Sequence, residues 1–164
     1  MATMTEQAVS KDQGLKLEMT RVIKASKQRV FDAWTRPEFV RQWFGPEGKA
    51  CSLAETDPRI GGAYTLELRG EPCGAVEGGI DMSRTSRATG RYIKIDPFDL
   101  LQFTWKGDWE PDGPETLVTV ALRDVGGGTE IKLTHERFAT ESSRDAHQHG
   151  WAGSMDKLVR FLEK

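Results

Sequence analysis

The chain has little that would betray a reaction. Its 164 residues contain only two cysteines, Cys51 and Cys73, in neither a CxxC nor a paired metal spacing, so free thiols in a reducing compartment are expected. HExxH, GxSxG, GxGxxG and the P-loop are all absent, which removes the common zinc-protease, serine-hydrolase, dinucleotide and phosphate-cradling chemistries. No metal and no cofactor are expected. Charge of one sign is missing too: 29% of residues are charged, but the net charge is only −2. Neither nucleic acid nor an anionic membrane surface is an expected partner. There is no long apolar run, and MATMTEQAVSKDQ has neither a basic nor an apolar leader region, so the protein reads as cytoplasmic.

What the chain does have is aromatic bulk in one place. VFDAWTRPEFVRQWFGP, residues Val30 to Pro46, holds two tryptophans and three phenylalanines. Ser26 can cap a helix from Lys27 to about Thr35, in which Val30, Ala33 and Trp34 share a stripe. Pro37 disfavours helical geometry at Arg36. Thr35 and Glu38 have capping-box spacing for a second short helix carrying Phe39, Val40, Trp43 and Phe44, which Gly45 and Pro46 stop. The stretch is read as a two-helix elbow.

Around the elbow the pattern alternates. Residues 1–14 are polar and aperiodic and are read as a disordered leader, and residues 15–164 as one domain. LKLEMTRVI predicts a first strand with Leu15, Leu17, Met19, Arg21 and Ile23 on one face. Strands are predicted over Ala50–Thr56, Ala63–Arg69, Ala88–Ile95, Leu100–Lys106, Thr116–Arg123 and Thr129–Glu136, with a tight hairpin at Gly126–Gly128. The glycine-rich segment Gly70 to Arg87 is read as a long loop of the kind that forms lids. From Ser142 to Glu163, Trp151, Met155, Leu158 and Leu162 line one face of a long helix. These elements predict an α+β fold in which an antiparallel sheet curls around the C-terminal helix and leaves a cavity that the elbow helps to close.

The elbow, DPRIGGAY, the pair DLLQFTW and TLVTVAL, GGGTEIKLTHERF, and HGWAGSMDKLVRFLEK together resemble START-like helix-grip proteins. The branch they most resemble is the bacterial one similar to the C-terminal domain of the activator of the ninety-kilodalton heat-shock chaperone's ATPase. That resemblance spans Leu15 to Lys164. It implies a curved seven-stranded antiparallel sheet gripping the C-terminal helix, with a pocket between them. It supplies no catalytic motif.

The candidate ligand-binding residues are Trp43, Tyr64, Phe103, Trp105 and Trp151, whose rings suit flat apolar molecules, together with Met155 on the helix stripe and His135. His135 is in phase with the inward Ile131 and Leu133, where it can anchor a ligand, act as a base, or simply complete a core hydrogen bond. Arg21, on an otherwise apolar face, can meet an acidic ligand group, pair with a strand carboxylate such as Glu55 or Asp57, or stay exposed on an edge strand. His147 and His149 point about 200° apart on a helix, which is poor metal geometry. No catalytic residue is assigned. The leading reading is non-enzymatic binding of a small apolar molecule. A chaperone-associated interaction module is the second reading, and a cyclase- or hydrolase-type enzyme using His135 the third. Edge strands leave monomer and homodimer both open.

Overall fold

A computed structural model of the protein describes residues 15–70 and 85–164. The reading of residues 1–14 as a leader, and that of Cys73 and of most of the 70–87 loop, fall outside the described residues. Gly70 itself ends a strand, and Thr85 to Arg87 begin one.

Chain order is β1 (Leu15–Ile23), α1 (Lys27–Thr35), α2 (Pro37–Trp43), β2 (Lys49–Thr56), β3 (Ala63–Gly70), β4 (Thr85–Asp96), β5 (Leu100–Gly107), β6 (Thr116–Val125), β7 (Gly128–Phe138) and α3 (Glu141–Leu162). The seven strands make one antiparallel sheet in the order β1-β7-β6-β5-β4-β3-β2. It is a meander from β2 to β7 with β1 added beyond the last strand. All seven strands and the long helix lie where the period-two and helical patterns place them, within three residues at each end. A two-residue loop, Gly126–Gly127, joins β6 to β7, with Gly127 at φ 83°.

The elbow forms, with one difference in its chemistry. Ser26 caps α1 by accepting from Arg29 N at 3.2 Å. The start of α2 is capped by Arg36, whose side chain makes no capping bond, and Thr35 Oγ1 instead donates back to the Phe31 carbonyl. The expected capping box is absent because Pro37 occupies the first helical position, where its missing N–H leaves one donor fewer to satisfy. Arg21, half-buried on the edge strand β1, finds a helix carboxylate where a strand one was a candidate. It lies 3.6 Å from Asp156 on α3, not beside Glu55 or Asp57, because α3 packs across the inner face of β1 and brings its exposed carboxylate to the strand.

Register carries the apolar face straight across the sheet. Tyr92 pairs with Phe103, Phe103 with Val118, Val118 with His135, and His135 with Leu17. All five are buried. A register shift between Leu15 and Leu17, opposite Arg137 at φ 78°, returns Phe138 to the inner face, where its ring lies 4.4 Å from His135. Such a bulge re-aims side chains at a strand end. The buried stripe of α3, Trp151, Ser154, Met155, Leu158 and Leu162, covers this face, and α3 starts from a Thr140 cap that accepts from Ser143 N at 3.1 Å. Among the described residues no helix is long and apolar enough to cross a membrane.

Candidate functional site

The inner face carries more aromatic rings than the helix stripe can cover, and they divide into two groups. Toward the elbow, Trp34, Trp43, Tyr64, Tyr92 and Phe103 interlock around a small cavity of about 20 Å³. Trp43 donates its Nε1–H to the Ala33 carbonyl at 2.8 Å, and Tyr64 its hydroxyl to the Thr104 carbonyl at 2.6 Å. Both aromatics are thereby locked at their polar ends.

At the other end lies a cavity of about 440 Å³, walled by Phe44, Leu68, Trp105, Trp109 and Trp151, with His147, Gly150 and Ser154 contributed by α3. That volume falls within the ordinary range for small-molecule sites. Lys49, Asp108 and Glu110 stand at its polar margin. Trp109, 40% exposed, folds back over the end of β5. A Cβ on Gly107 would come within 2.4 Å of its ring, so any other residue there would displace the ring from this position. The Lys49 ammonium sits 5.9 Å from the same ring, within cation–π range.

Two histidines hold the tryptophans of this wall, and hydrogen-bond directions fix their tautomers. Trp151 Nε1–H donates to His135 Nδ1 at 3.0 Å. That nitrogen therefore carries a lone pair, so the proton is on Nε2 and points to Thr116 Oγ1 at 2.7 Å. Thr116 in turn donates to the Trp105 carbonyl at 3.0 Å. His147 has the opposite tautomer: its Nδ1–H donates to the Ser143 carbonyl at 2.8 Å, and its Nε2 accepts from Trp105 Nε1–H at 3.3 Å. Each imidazole acts as acceptor for one indole only while it is neutral. Burial, together with the neighbouring His147, pushes the His135 pKa well below its ordinary value. Burial also lowers that of half-buried His147, against the opposing pull of the Ser143 carbonyl and Glu110.

The candidate residues thus separate. Trp105 and Trp151 line the large cavity. Trp43, Tyr64 and Phe103 line the small one. His135 is 0% exposed, lines neither, and stands behind the Trp105–Trp151 wall as its hydrogen-bonded support. Met155 is fully buried in the core. Sequence reasoning did not single out Phe44, Trp109, His147 or Gly150 as cavity residues. For His147 a signal existed, its position one helical turn before Trp151. Trp109 lies beside the turn after β5 and offered none.

His135 has both ring nitrogens engaged and no lone pair left to take a proton from a substrate. Cys51 is a free thiol, buried, and pushed up to about 11 chiefly by that burial, which keeps it protonated and unreactive. Among the described residues no three His, Cys, Asp or Glu side chains converge as metal ligands.

Comparison with known proteins agrees with the fold. A protein from Chromobacterium violaceum superposes with a TM-score of 0.77 at 25% identity, covering 91% of this chain and 97% of its own. One from Rhodobacter sphaeroides gives 0.70 at 29% identity, with 90% and 89% covered. The AHSA1 protein of Silicibacter pomeroyi gives 0.73 at 21%, with 90% and 97% covered, a likeness of fold alone. No curated protein sequence matches the chain. The model of the family described as activator of Hsp90 ATPase homolog 1-like protein matches residues 24–163, nearly the whole described fold. The chain therefore belongs to the activator of Hsp90 ATPase homolog 1-like family, with the START-like helix-grip architecture.

Proposed function

We propose that this protein binds a small, flat, largely apolar molecule between its sheet and its C-terminal helix, and does not transform it. The observation that carries the reading is the cavity of about 440 Å³ walled by three tryptophans and Phe44. Rings arranged this way offer offset stacking and dispersion to an aromatic guest, while Lys49, Asp108 and Glu110 at the margin orient any polar end. The support given to Trp105 and Trp151 by His147 and His135 keeps the wall preformed, which lowers the ordering cost of binding.

A ligand that binds only the folded state stabilises it, by about 2.7 kcal/mol at a hundredfold excess over Kd. A thermal-shift screen of lipids, sterols, flavonoids and polyketide-like aromatics is expected to yield hits among the flat aromatic members. A melting temperature unmoved by every class would overturn the reading.

The family's description also suggests a chaperone-associated module, which needs a contiguous apolar patch facing outward. Val22 and Ile93, two of the exposed large apolar residues among those described, stand on strands with three others between them. Val22 and Ile93 are thus not neighbours, and this reading ranks second behind the cavity. The enzyme reading ranks third, since His135 has no free nitrogen.

A further inference from the structure

We infer that Trp34 is the polar recognition point of the bound molecule, and that the molecule carries a hydrogen-bond-accepting oxygen, such as a ketone carbonyl, at its inner end. The inference rests on the binding reading above and names the chemical class that the site selects.

The argument begins with one unmet bond. Trp34 is 6% exposed, and its Nε1–H has no hydrogen-bond partner among the described residues. Its buried neighbours are all satisfied: Trp43 by the Ala33 carbonyl, Trp105 by His147, Trp151 by His135. A cluster that pairs three indole N–H groups and leaves the fourth is not merely loosely built, because a buried donor without a partner is costly and rare.

Trp34 also borders the cavity of about 20 Å³, large enough for one oxygen atom with its immediate substituent, since a single water needs roughly 10–15 Å³ by the same measure. Three residues on that cavity carry hydroxyls, Thr56, Tyr64 and Tyr92; Thr56 donates to the Thr35 carbonyl at 2.8 Å and Tyr64 to the Thr104 carbonyl at 2.6 Å. Trp34 Nε1–H is the fully buried side-chain donor on that cavity without a partner among the described residues, and what it calls for is an acceptor.

The same small cavity adjoins the large one through a single side chain. Phe44 lines both. It follows the last turn of α2 in extended conformation and precedes Gly45 at φ 111°, and its buried ring packs on Trp43, Trp105 and Trp151, so joining the two cavities takes a rotamer change at this one side chain. Trp151, which walls the large cavity, lies 5.8 Å from Trp34 ring to ring. A flat molecule stacked on Trp151 with Phe44 turned aside brings its end to the Trp34 N–H.

The test uses two nearly isosteric probes, 2-acetylnaphthalene and 2-ethylnaphthalene, titrated into the full-length protein by calorimetry and by ¹H–¹⁵N spectra of the indole groups. The wild type should bind the ketone about tenfold more tightly, the ratio expected of one net hydrogen bond. The Trp34 indole proton should move downfield with the ketone only. In W34F, checked for folding by circular dichroism, the preference should vanish; should W34F fail to fold, the wild-type indole shift decides. Equal affinities, a preference that survives in W34F, or an unmoved Trp34 proton while those of Trp105 and Trp151 respond would overturn the inference and leave the binding reading standing. Equal affinities are also what a permanently bound water on Trp34 would give. If the wild type binds neither probe, the inference falls, and the thermal-shift screen judges the binding reading separately.

Discussion

The protein holds two tryptophan-containing aromatic groups, spaced alike and used in opposite ways. Near the elbow, Trp34, Trp43, Tyr64, Tyr92 and Phe103 have ring centroids 4.8 to 6.4 Å apart around about 20 Å³. At the other end, Trp105, Trp109, Trp151 and His147 are 5.4 to 6.2 Å apart, yet wall about 440 Å³. Ring spacing does not separate a core from a pocket. The difference lies in what faces the rings: α1 presses Trp34, and α2 Val40 and Trp43, into the first group, whereas α3 presents Gly150 to the second.

The strongest way to break that contrast is truncation at each end. Trp43 is all but fully buried and its N–H is paired, so W43A should cost about 3–5 kcal/mol in urea unfolding. W105A removes a ring with packing atoms on one side and cavity on the other, and should cost clearly less. Equal losses would mean that the second group is as tightly packed as the first.

A smaller effect comes from the histidines, which belong to the hollow end alone. Both pKa values are held down by burial, so the unfolded chain takes up protons, from about pH 6.5 downward, that the folded chain refuses. Stability from these groups is fully present above that pH and is lost as the pH falls through the window between the unfolded and folded values. Chemical denaturation between pH 7.5 and 5 should show this loss, and H147Q should flatten part of it. A profile identical in H147Q would remove His147 from the account.

Much of the fold was legible because its long elements repeat. β1, β7 and α3 each carry several in-phase apolar residues, so a single misfit such as Arg21 or His135 leaves the period clear. The α2 cap was misread because Thr35 and Glu38 match a spacing whose need Pro37 removes. The site was legible only in part. That Trp105 and His135 face inward follows from alternation, and that Trp151 does from the helical stripe, but which ring meets empty volume depends on how α3 is rotated over the sheet. The pairing of His147 with Trp105, 42 positions away in the chain, is a fact of register. Neither is written in local pattern.

The cavity's role is tested most directly at Gly150, where the C-terminal helix lacks a side chain against the hollow. Glycine inside a helix forgoes up to about 1 kcal/mol relative to alanine, so G150L should fold at least as stably as the wild type while its side chain fills the space. With any ligand that raises the wild-type melting temperature, G150L should show little or no shift. A G150L protein that is folded and shifts as far as the wild type would place the ligand elsewhere and contradict the account.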